Sequence, residues 1–163
     1  SHGGNTMFSN SYKAAETLPE DIKHRINTKK ALHIYDYGNQ HKTANSYDKA
    51  IHPHFAHPIF RKHPETGRSA LFVSELMTEQ ILDVSPDESR ELLNFLFTHQ
   101  RKPEFVYEHQ WRPGDIMMWD NRCSVHARTD FPSDQRRMLR RITLEDDHPV
   151  LAGEPPFSKA TAL

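Results

Sequence analysis

The stretch WDNRCSVHARTDFPSDQRRMLRRITL, residues 119–144, combines one histidine in a short strand-like segment, a turn, and a second segment that carries four arginines. Side chains alternate between the two faces of a strand, so a strand over residues 137–144 puts Arg137 and Arg141 on the same face. An arginine with apolar neighbours needs an acidic partner, and a guanidinium donates two parallel hydrogen bonds to a carboxylate. His126, in its neutral form, is a potential metal ligand. A hairpin between the two segments would place a metal site beside an anchor for a carboxylate.

Shorter motifs are distributed along the whole chain. They are GGNT at 3–6, HPETGR at 63–68, LFV at 71–73, ES..LL..LF.H at 88–99, W.PGDIMMWDNR at 111–122 and RR.L.R at 136–141. In this order and with these gaps, the chain resembles the taurine dioxygenase / chlorophenoxyacetate dioxygenase (TauD/TfdA) family of iron(II)- and 2-oxoglutarate-dependent enzymes.

The resemblance implies a role for four residues of this sequence. His126 matches one histidine of the two-His-one-carboxylate iron site. Arg141 matches the arginine that pairs with the distal carboxylate of 2-oxoglutarate, and Arg137 matches a second arginine near it. Thr6 matches the threonine of the GG.T motif, which contacts the same cosubstrate. The reasoning from residue types supports His126 and the arginines, whereas Thr6 rests on the resemblance alone.

The same resemblance implies a fold and a reaction. The fold is mainly β with flanking helices, a double-stranded β-helix (jelly roll) over residues 1–150, with 151–163 as a loose tail. The reaction uses Fe(II), 2-oxoglutarate and O2 to hydroxylate a small organic acid, either a sulfonate, a sulfate ester or an aryloxyacetate, with release of succinate and CO2. Only 36% of the residues are hydrophobic and the mean hydropathy is −0.80, so we also expect a homo-oligomer or a further segment to bury surface.

The chain departs from the family at the iron ligands. In the family the other two ligands come from an H-x-D or H-x-E pair upstream of GG.T, and this sequence begins two residues before Gly3. We therefore expect a jelly roll that is incomplete at its N-terminus. His63-Pro64-Glu65 is formally H-x-E, but it belongs to a turn motif and we do not expect it to substitute. The alternative to a working dioxygenase is a truncated, inactive family member that acts only in binding or assembly.

Charge and composition exclude several other classes. The net charge is −1 with a pI near 6.9, which argues against a nucleic-acid-binding domain, and the arginine cluster fits a barrel strand better than a phosphate-binding patch. No apolar run is long enough to span a membrane. Cys123 is the only cysteine, so no intrachain disulfide can form and we expect a reducing, cytoplasmic compartment.

Two other groups of residues offer possible chemical sites. Cys123 could act as a nucleophile beside His126, but no orienting motif accompanies it and an inert thiol is favoured. His52, His54, His57 and His63 could form a second metal site, but their spacing matches no zinc pattern and packed or solvated histidines are favoured.

Local patterns predict the surrounding elements. A helix over 12–27 is expected in two pieces, with Thr17 and Glu20 as a capping box, and a helix over 85–99 is expected to begin at a Ser85 cap and to bury a leucine stripe. Residues 27–57 lack a sustained period, which predicts a long loop acting as a lid over the active-site mouth. Strands are predicted at about 70–74, 105–111 and 115–119, in addition to 137–144.

Overall fold

The computed structural model describes residues 3–35, 52–145 and 147–157 of the chain. The strands within these residues are β1 (Thr6–Asn10), β2 (Lys30–Ile34), β3 (His54–Pro58), β4 (Phe60–Lys62), β5 (Ser69–Leu71), β6 (Thr78–Ile81), β7 (Val106–His109), β8 (Ser124–Arg128) and β9 (Leu151–Ala152). The helices are α1 (Ser11–Glu16), α2 (Glu20–Ile26) and α3 (Pro86–Gln100), and a 3-10 turn at Pro103–Phe105 precedes β7.

The described strands form three antiparallel sheets of three strands each. Their orders are β7-β1-β8, β3-β2-β6 and β5-β4-β9, so in each sheet the central strand pairs with a strand distant in sequence. The prediction of a mainly β chain with flanking helices is confirmed. The first of these sheets carries His126 and Thr6, and we call it the site sheet.

The helices cover the sheets through a continuous apolar core. α3 begins as predicted, because the Ser85 side chain accepts a hydrogen bond from the backbone N of Glu88 at 3.2 Å. Its leucine stripe is buried as predicted and packs with α1, α2 and the strands; the cluster includes Ala14, Ile22, Ile59, Leu71, Leu92, Leu93 and Leu96. Among the described residues, none of the helices combines the length and the apolar character needed to cross a membrane.

The predicted helix over 12–27 is divided into α1 and α2, as expected, but its capping box is wrong. Thr17 belongs to the end of α1, where its hydroxyl donates to the backbone O of Lys13 at 2.8 Å. Pro19 occupies the N-cap of α2, and no side chain caps that helix. A hydroxyl already engaged with the preceding helix cannot also reach the first turn of the next one.

The predicted loop over 27–57 contains strands at both ends. β2 pairs with β3 and with β6, and it buries Ala31 and Ile34. Alternating polar and apolar residues over this short segment were too few to show a period. Residues 36–51 lie outside the described residues, and the lid remains a prediction for them. The strand expected at 70–74 is β5, and the strand expected at 105–111 is β7.

The strands predicted at 115–119 and 137–144 are absent from the structure. Both segments lack strand pairing within the described chain, and their alternating apolar side chains are almost fully exposed, with Ile116 at 93% and Ile142 at 89%. Alternation shows that a segment can form a strand, but a strand also needs a neighbour for its backbone hydrogen bonds. The hairpin expected between the His126 strand and the arginines is therefore not formed.

Residues 151–157, expected as part of a loose tail, pack against the body of the protein. β9 pairs with Arg61 and Lys62 of β4, and Gly153 N donates to Phe60 O at 2.7 Å. Farther along, the buried ammonium of Lys23 donates to the backbone O of Pro156 at 2.8 Å. The expectation of looseness is thus wrong for these seven residues, and the rest of the tail, 158–163, lies outside the described residues.

Candidate functional site

The register of the site sheet brings side chains from three strands onto one face. On one side β1 pairs with β7, and on the other with β8, so that Phe8 lies directly opposite both Tyr107 and His126. Residues opposite each other in an antiparallel pair share a face, as do alternate residues of a strand. The resulting site face consists of Thr6, Phe8, Tyr107, His109, His126 and Arg128. Thr6 and His126 are diagonal neighbours on it, which corresponds to a separation of about 7–8 Å.

The imidazole of His126 forms a three-ring cluster with Trp119 and Phe8, whose own ring centroids are 5.1 Å apart. Its centroid is 5.2 Å from the ring of Trp119 and 6.2 Å from that of Phe8. The surrounding protein atoms lower the pKa of His126 below its ordinary value, and the positive charge of Arg141 lowers this pKa further. The imidazole is therefore held in its neutral form, which is the form that binds a metal ion.

Thr6 lies at the start of β1 and is buried, with 8% of its surface exposed. Its hydroxyl accepts a hydrogen bond from the indole Nε1 of Trp111 at 2.9 Å. Trp111 follows β7 in sequence, so the contact joins two segments of the site sheet that are 105 positions apart. Sequence reasoning did not identify Trp111, because the contact depends on strand register.

Arg137 contacts the loop that leads into β1. Its Nε donates to the backbone O of Gly4 at 2.8 Å. Gly4 has a φ of +68°, and a Cβ at this position would come within 2.8 Å of Arg137 Cδ. The positive φ therefore favours glycine at this position, and a Cβ would in addition push the Arg137 side chain aside. This contact fixes Arg137 two residues from Thr6.

A second arginine, on β8, lies close to the start of β1. Arg128 lies opposite Thr6, and its guanidinium carbon is 4.9 Å from the ring centroid of Phe131. The guanidinium of Arg137 is 6.0 Å from the same ring. Phe131 thus lies within 6.0 Å of two guanidinium groups, which brings two positive charges close to the start of β1.

An ionic network fixes the loop that precedes β8. The carboxylate of Asp120 accepts hydrogen bonds from the guanidinium of Arg122, the shortest at 2.7 Å, and from His63 Nε2 at 3.0 Å. Arg122, followed by His63, holds the pKa of Asp120 well below its usual range despite the opposing effect of burial. Ser124, the first residue of β8, donates from its hydroxyl to the backbone O of Asp120 at 2.5 Å. The network therefore positions the start of the strand that carries His126.

The described residues contain one group of three potential metal ligands that lie close together: His63, Asp120 and Cys123. Asp120 is already occupied by a guanidinium and an imidazole, and burial raises the pKa of the Cys123 thiol, which keeps it protonated. This arrangement fits a structural network better than a metal centre, and it disfavours the nucleophile hypothesis for Cys123.

His126 does not belong to that group, and its role as an iron ligand stays a prediction. The formal H-x-E pair does not substitute, since His63 is buried with Nε2 bonded to Asp120. The histidine-rich segment forms no second metal group within the described chain. His57 instead packs against the rings of His33 and Phe72, as the favoured interpretation expected.

Comparison with known proteins gives a consistent result. Residues 1–143 match the model of the family described as "Taurine catabolism dioxygenase TauD, TfdA family". Pentalenolactone F synthase of Streptomyces arenae is 33% identical over 92% of this chain and 54% of its own length. The (S)-phenoxypropionate/alpha-ketoglutarate-dioxygenase of Sphingobium herbicidovorans is 34% identical over 98% of this chain and 56% of its own length. The chain therefore spans about half the length of the curated relatives it matches.

A solved structure extends the likeness to three dimensions. The crystal structure of AAD-2 in complex with Mn(II) and N-oxalylglycine superimposes with a TM-score of 0.80 at 31% identity, covering 91% of this chain and 60% of that one. Dioxygenases of this type have a jelly-roll fold. The family uses Fe(II) and 2-oxoglutarate as cofactor and cosubstrate.

Proposed function

The chain belongs to the TauD/TfdA family, and we propose that the protein is an Fe(II)- and 2-oxoglutarate-dependent dioxygenase that hydroxylates a small organic acid. The observation that supports this most directly is the convergence of the expected residues. His126 and Thr6 share the site face, Arg137 contacts Gly4 two residues from Thr6, and the charge of Arg141 acts on His126.

The described residues fit the implied cofactors in part. His126 offers a neutral imidazole to the iron, and Arg141, Arg137 and Thr6 offer two cations and a hydroxyl to a dicarboxylate. When bound, iron(II) with 2-oxoglutarate and O2 supplies the oxidising power for hydroxylation of a C–H bond, with succinate and CO2 as by-products. The part played by the protein residues is to bind and orient these groups, and to hold the far carboxylate through Arg141.

We further propose that the whole protein supplies two more iron ligands and additional barrel strands from a segment outside this chain. The unpaired segments support this, because their alternating apolar side chains are exposed where a further strand would cover them; these side chains include Ile116, Met118, Ile142 and Leu144. A neighbouring copy in a homo-oligomer would cover part of the same surface. Light scattering of the full-length protein distinguishes the two arrangements, since only the second one doubles or further multiplies the mass.

The proposed substrate class is that of small organic acids, namely sulfonates, sulfate esters and aryloxyacetates. The relative from Sphingobium herbicidovorans, named for (S)-phenoxypropionate, supports the aryloxy branch of this class. Incubation of the full-length protein with Fe(II), 2-oxoglutarate, O2 and a panel of these acids should yield succinate with at least one of them. Retained 2-oxoglutarate binding without any succinate would instead favour an inactive family member that acts in binding or assembly.

The cosubstrate assignment is tested separately by binding. We expect Arg141→Ala to weaken 2-oxoglutarate binding at least tenfold under anaerobic conditions with Fe(II), about the loss expected for a charge-assisted pair. Arg140→Ala is the matched control, because it removes the adjacent exposed guanidinium and should leave the affinity within about twofold. Equal affinities of Arg141→Ala and wild-type protein would contradict the role of Arg141.

A further inference from the structure

The hydrogen bond from Trp111 to Thr6 has a chemical consequence for the hydroxyl. An indole N–H can only donate, so Thr6 Oγ1 must accept it with one of its lone pairs. The hydroxyl proton is then available for a different group. Among the described residues, no acceptor for this proton lies within hydrogen-bonding distance, although Thr6 is buried. Buried hydroxyls rarely leave a proton unused, so a ligand acceptor is indicated.

The indole is itself held in place by its neighbours. The ring of His109 meets that of Trp111 edge-on, with centroids 4.7 Å apart and an interplanar angle of 87°. His109 Nε2 lies 3.1 Å from the carboxylate of Asp115, which also accepts the backbone N–H of Arg112 at 2.9 Å. The indole of Trp111 thus packs against His109, and Asp115 anchors both that histidine and the residue that follows Trp111.

The surroundings of Thr6 indicate the charge of the acceptor. Arg128 lies opposite Thr6 across the strand pair, and Arg137 contacts Gly4 two residues away. Two guanidinium groups beside a hydroxyl that is oriented to donate form a site for an anion with oxygen acceptors. A carboxylate has this chemistry.

We propose that Trp111 is a positioning residue for the cosubstrate: by donating to Thr6 Oγ1, it directs the Thr6 hydroxyl proton towards the distal carboxylate of 2-oxoglutarate. The inference rests on the proposed function, because it takes 2-oxoglutarate as the ligand. Trp111 does not touch the cosubstrate in this role. It acts through Thr6, and its effect should therefore be confined to ligands that carry the distal carboxylate.

Binding measurements on the full-length protein with Fe(II), without O2, test this proposal. Two ligands are compared: 2-oxoglutarate, and 2-oxovalerate, which has the same keto acid but a methyl group in place of the distal carboxylate. Trp111→Phe keeps an aromatic ring against His109 and removes the N–H. We expect this substitution to weaken the binding of 2-oxoglutarate about tenfold and to leave the affinity for 2-oxovalerate unchanged. Equal weakening of the two ligands would indicate a packing role and overturn the proposal.

Variants of Thr6 provide an independent test. Thr6→Val should weaken the binding of 2-oxoglutarate by at least as much as Trp111→Phe does. The double variant should bind 2-oxoglutarate no more weakly than Thr6→Val alone, because both changes act on one hydroxyl. Thr6→Ser keeps the hydroxyl, so adding Trp111→Phe to this variant should again weaken the binding of 2-oxoglutarate. Multiplicative effects in the double variant would overturn the role of Trp111 while leaving the proposed function intact. Wild-type protein that fails to bind 2-oxoglutarate would contradict the proposed function itself.

Discussion

His63 donates a hydrogen bond from Nε2 to Oδ2 of Asp120 at 3.0 Å, and this bond joins two residues that are 57 positions apart in the sequence. The ionised carboxylate can only accept, so Nε2 must carry the proton. Because Ser124 also donates to the backbone O of Asp120, the same residue connects the turn at His63 to the first residue of β8. The position of the strand that carries His126 thus depends on a contact with the first residue of the HPETGR motif.

Asp120→Asn should destabilise the protein by about 2 kcal/mol, since it removes the negative charge that pairs with Arg122 and that strengthens the hydrogen bond from His63. The free energy of unfolding in urea measures this change. Asp87→Asn is a matched control, because Asp87 is 93% exposed and forms an ion pair with Arg90 within its own helix turn; its effect should stay below about 0.5 kcal/mol. Equal effects of the two substitutions would show that the network around Asp120 is not stabilising.

Lys23→Met should release the segment 151–157 from the body of the protein. The ammonium of Lys23 is buried and donates to Glu20 Oε1 and to the backbone O of Glu16 and Pro156, at 2.8–3.0 Å. Methionine keeps most of the apolar stem but leaves these acceptors unsatisfied, at a loss of about 2 kcal/mol. Hydrogen exchange of the Gly153 amide, which donates to Phe60 O, should become faster.

The control for this prediction is Lys13→Met, because Lys13 is an exposed lysine on the neighbouring helix α1. It removes the same charge without touching the tail, and the Gly153 amide should exchange at the wild-type rate. If Lys23→Met also leaves that rate unchanged, the tail is held by β9 pairing alone.

The elements that the sequence predicted correctly depend on local signals. α3 is an example, because Ser85, Pro86 and Glu88 specify its start and its leucines repeat at helical spacing within the same fifteen residues. The segment 137–144 shows the opposite case. Its alternation was real, but whether Ile142 becomes buried depends on a partner strand that no local pattern encodes. The same limit explains β9, whose pairing with β4 joins residues about ninety positions apart.

Residues of the candidate site could be predicted from the sequence where the residue type itself is characteristic of a chemical role. His126 and the arginines could be selected by type and by motif, and their roles at the iron and the cosubstrate stay predictions. Trp111 could not be selected, because its role follows from a hydrogen bond to Thr6 that only the register of β1 and β7 creates. An indole after a strand is more often a core residue than a donor to a binding hydroxyl.

His99 should make stability depend on pH. It is 3% exposed, and burial lowers its pKa below the ordinary value, although the hydrogen bond from Nε2 to Ala14 O acts in the opposite direction. The unfolded chain therefore binds a proton more readily than the folded one. The contribution of neutral His99 to the free energy of unfolding is therefore fully present above about pH 6.5, the ordinary histidine pKa. This contribution is lost as the pH falls below that value.

His99→Gln keeps a side-chain donor for Ala14 O but cannot be protonated. The free energy of unfolding should therefore decline less steeply between pH 7 and pH 5 than in the wild type, whatever the absolute stability of the variant. A residual slope is expected from His57, whose pKa burial also lowers. Identical slopes for variant and wild type would mean that His99 does not contribute to acid sensitivity.

Gly4→Ala should damage the site by two separable effects. The first is backbone strain, because Gly4 has a φ of +68°, a conformation that costs a non-glycine residue about 1–2 kcal/mol. The second is the clash of the new Cβ with Arg137 Cδ, which would displace the guanidinium from the backbone O of Gly4. We expect lower stability together with weaker 2-oxoglutarate binding.

Gly67→Ala separates the two effects. Gly67 has the same φ of +68°, but a Cβ there meets no atom within 4 Å, so this variant carries the strain without the clash. Thermal unfolding should show a loss of stability in both variants, whereas titration calorimetry should show weaker 2-oxoglutarate binding in Gly4→Ala alone. If both variants bind 2-oxoglutarate with the wild-type affinity, then the position of Arg137 beside Gly4 has no part in cosubstrate binding, and Arg141 with Thr6 must account for it.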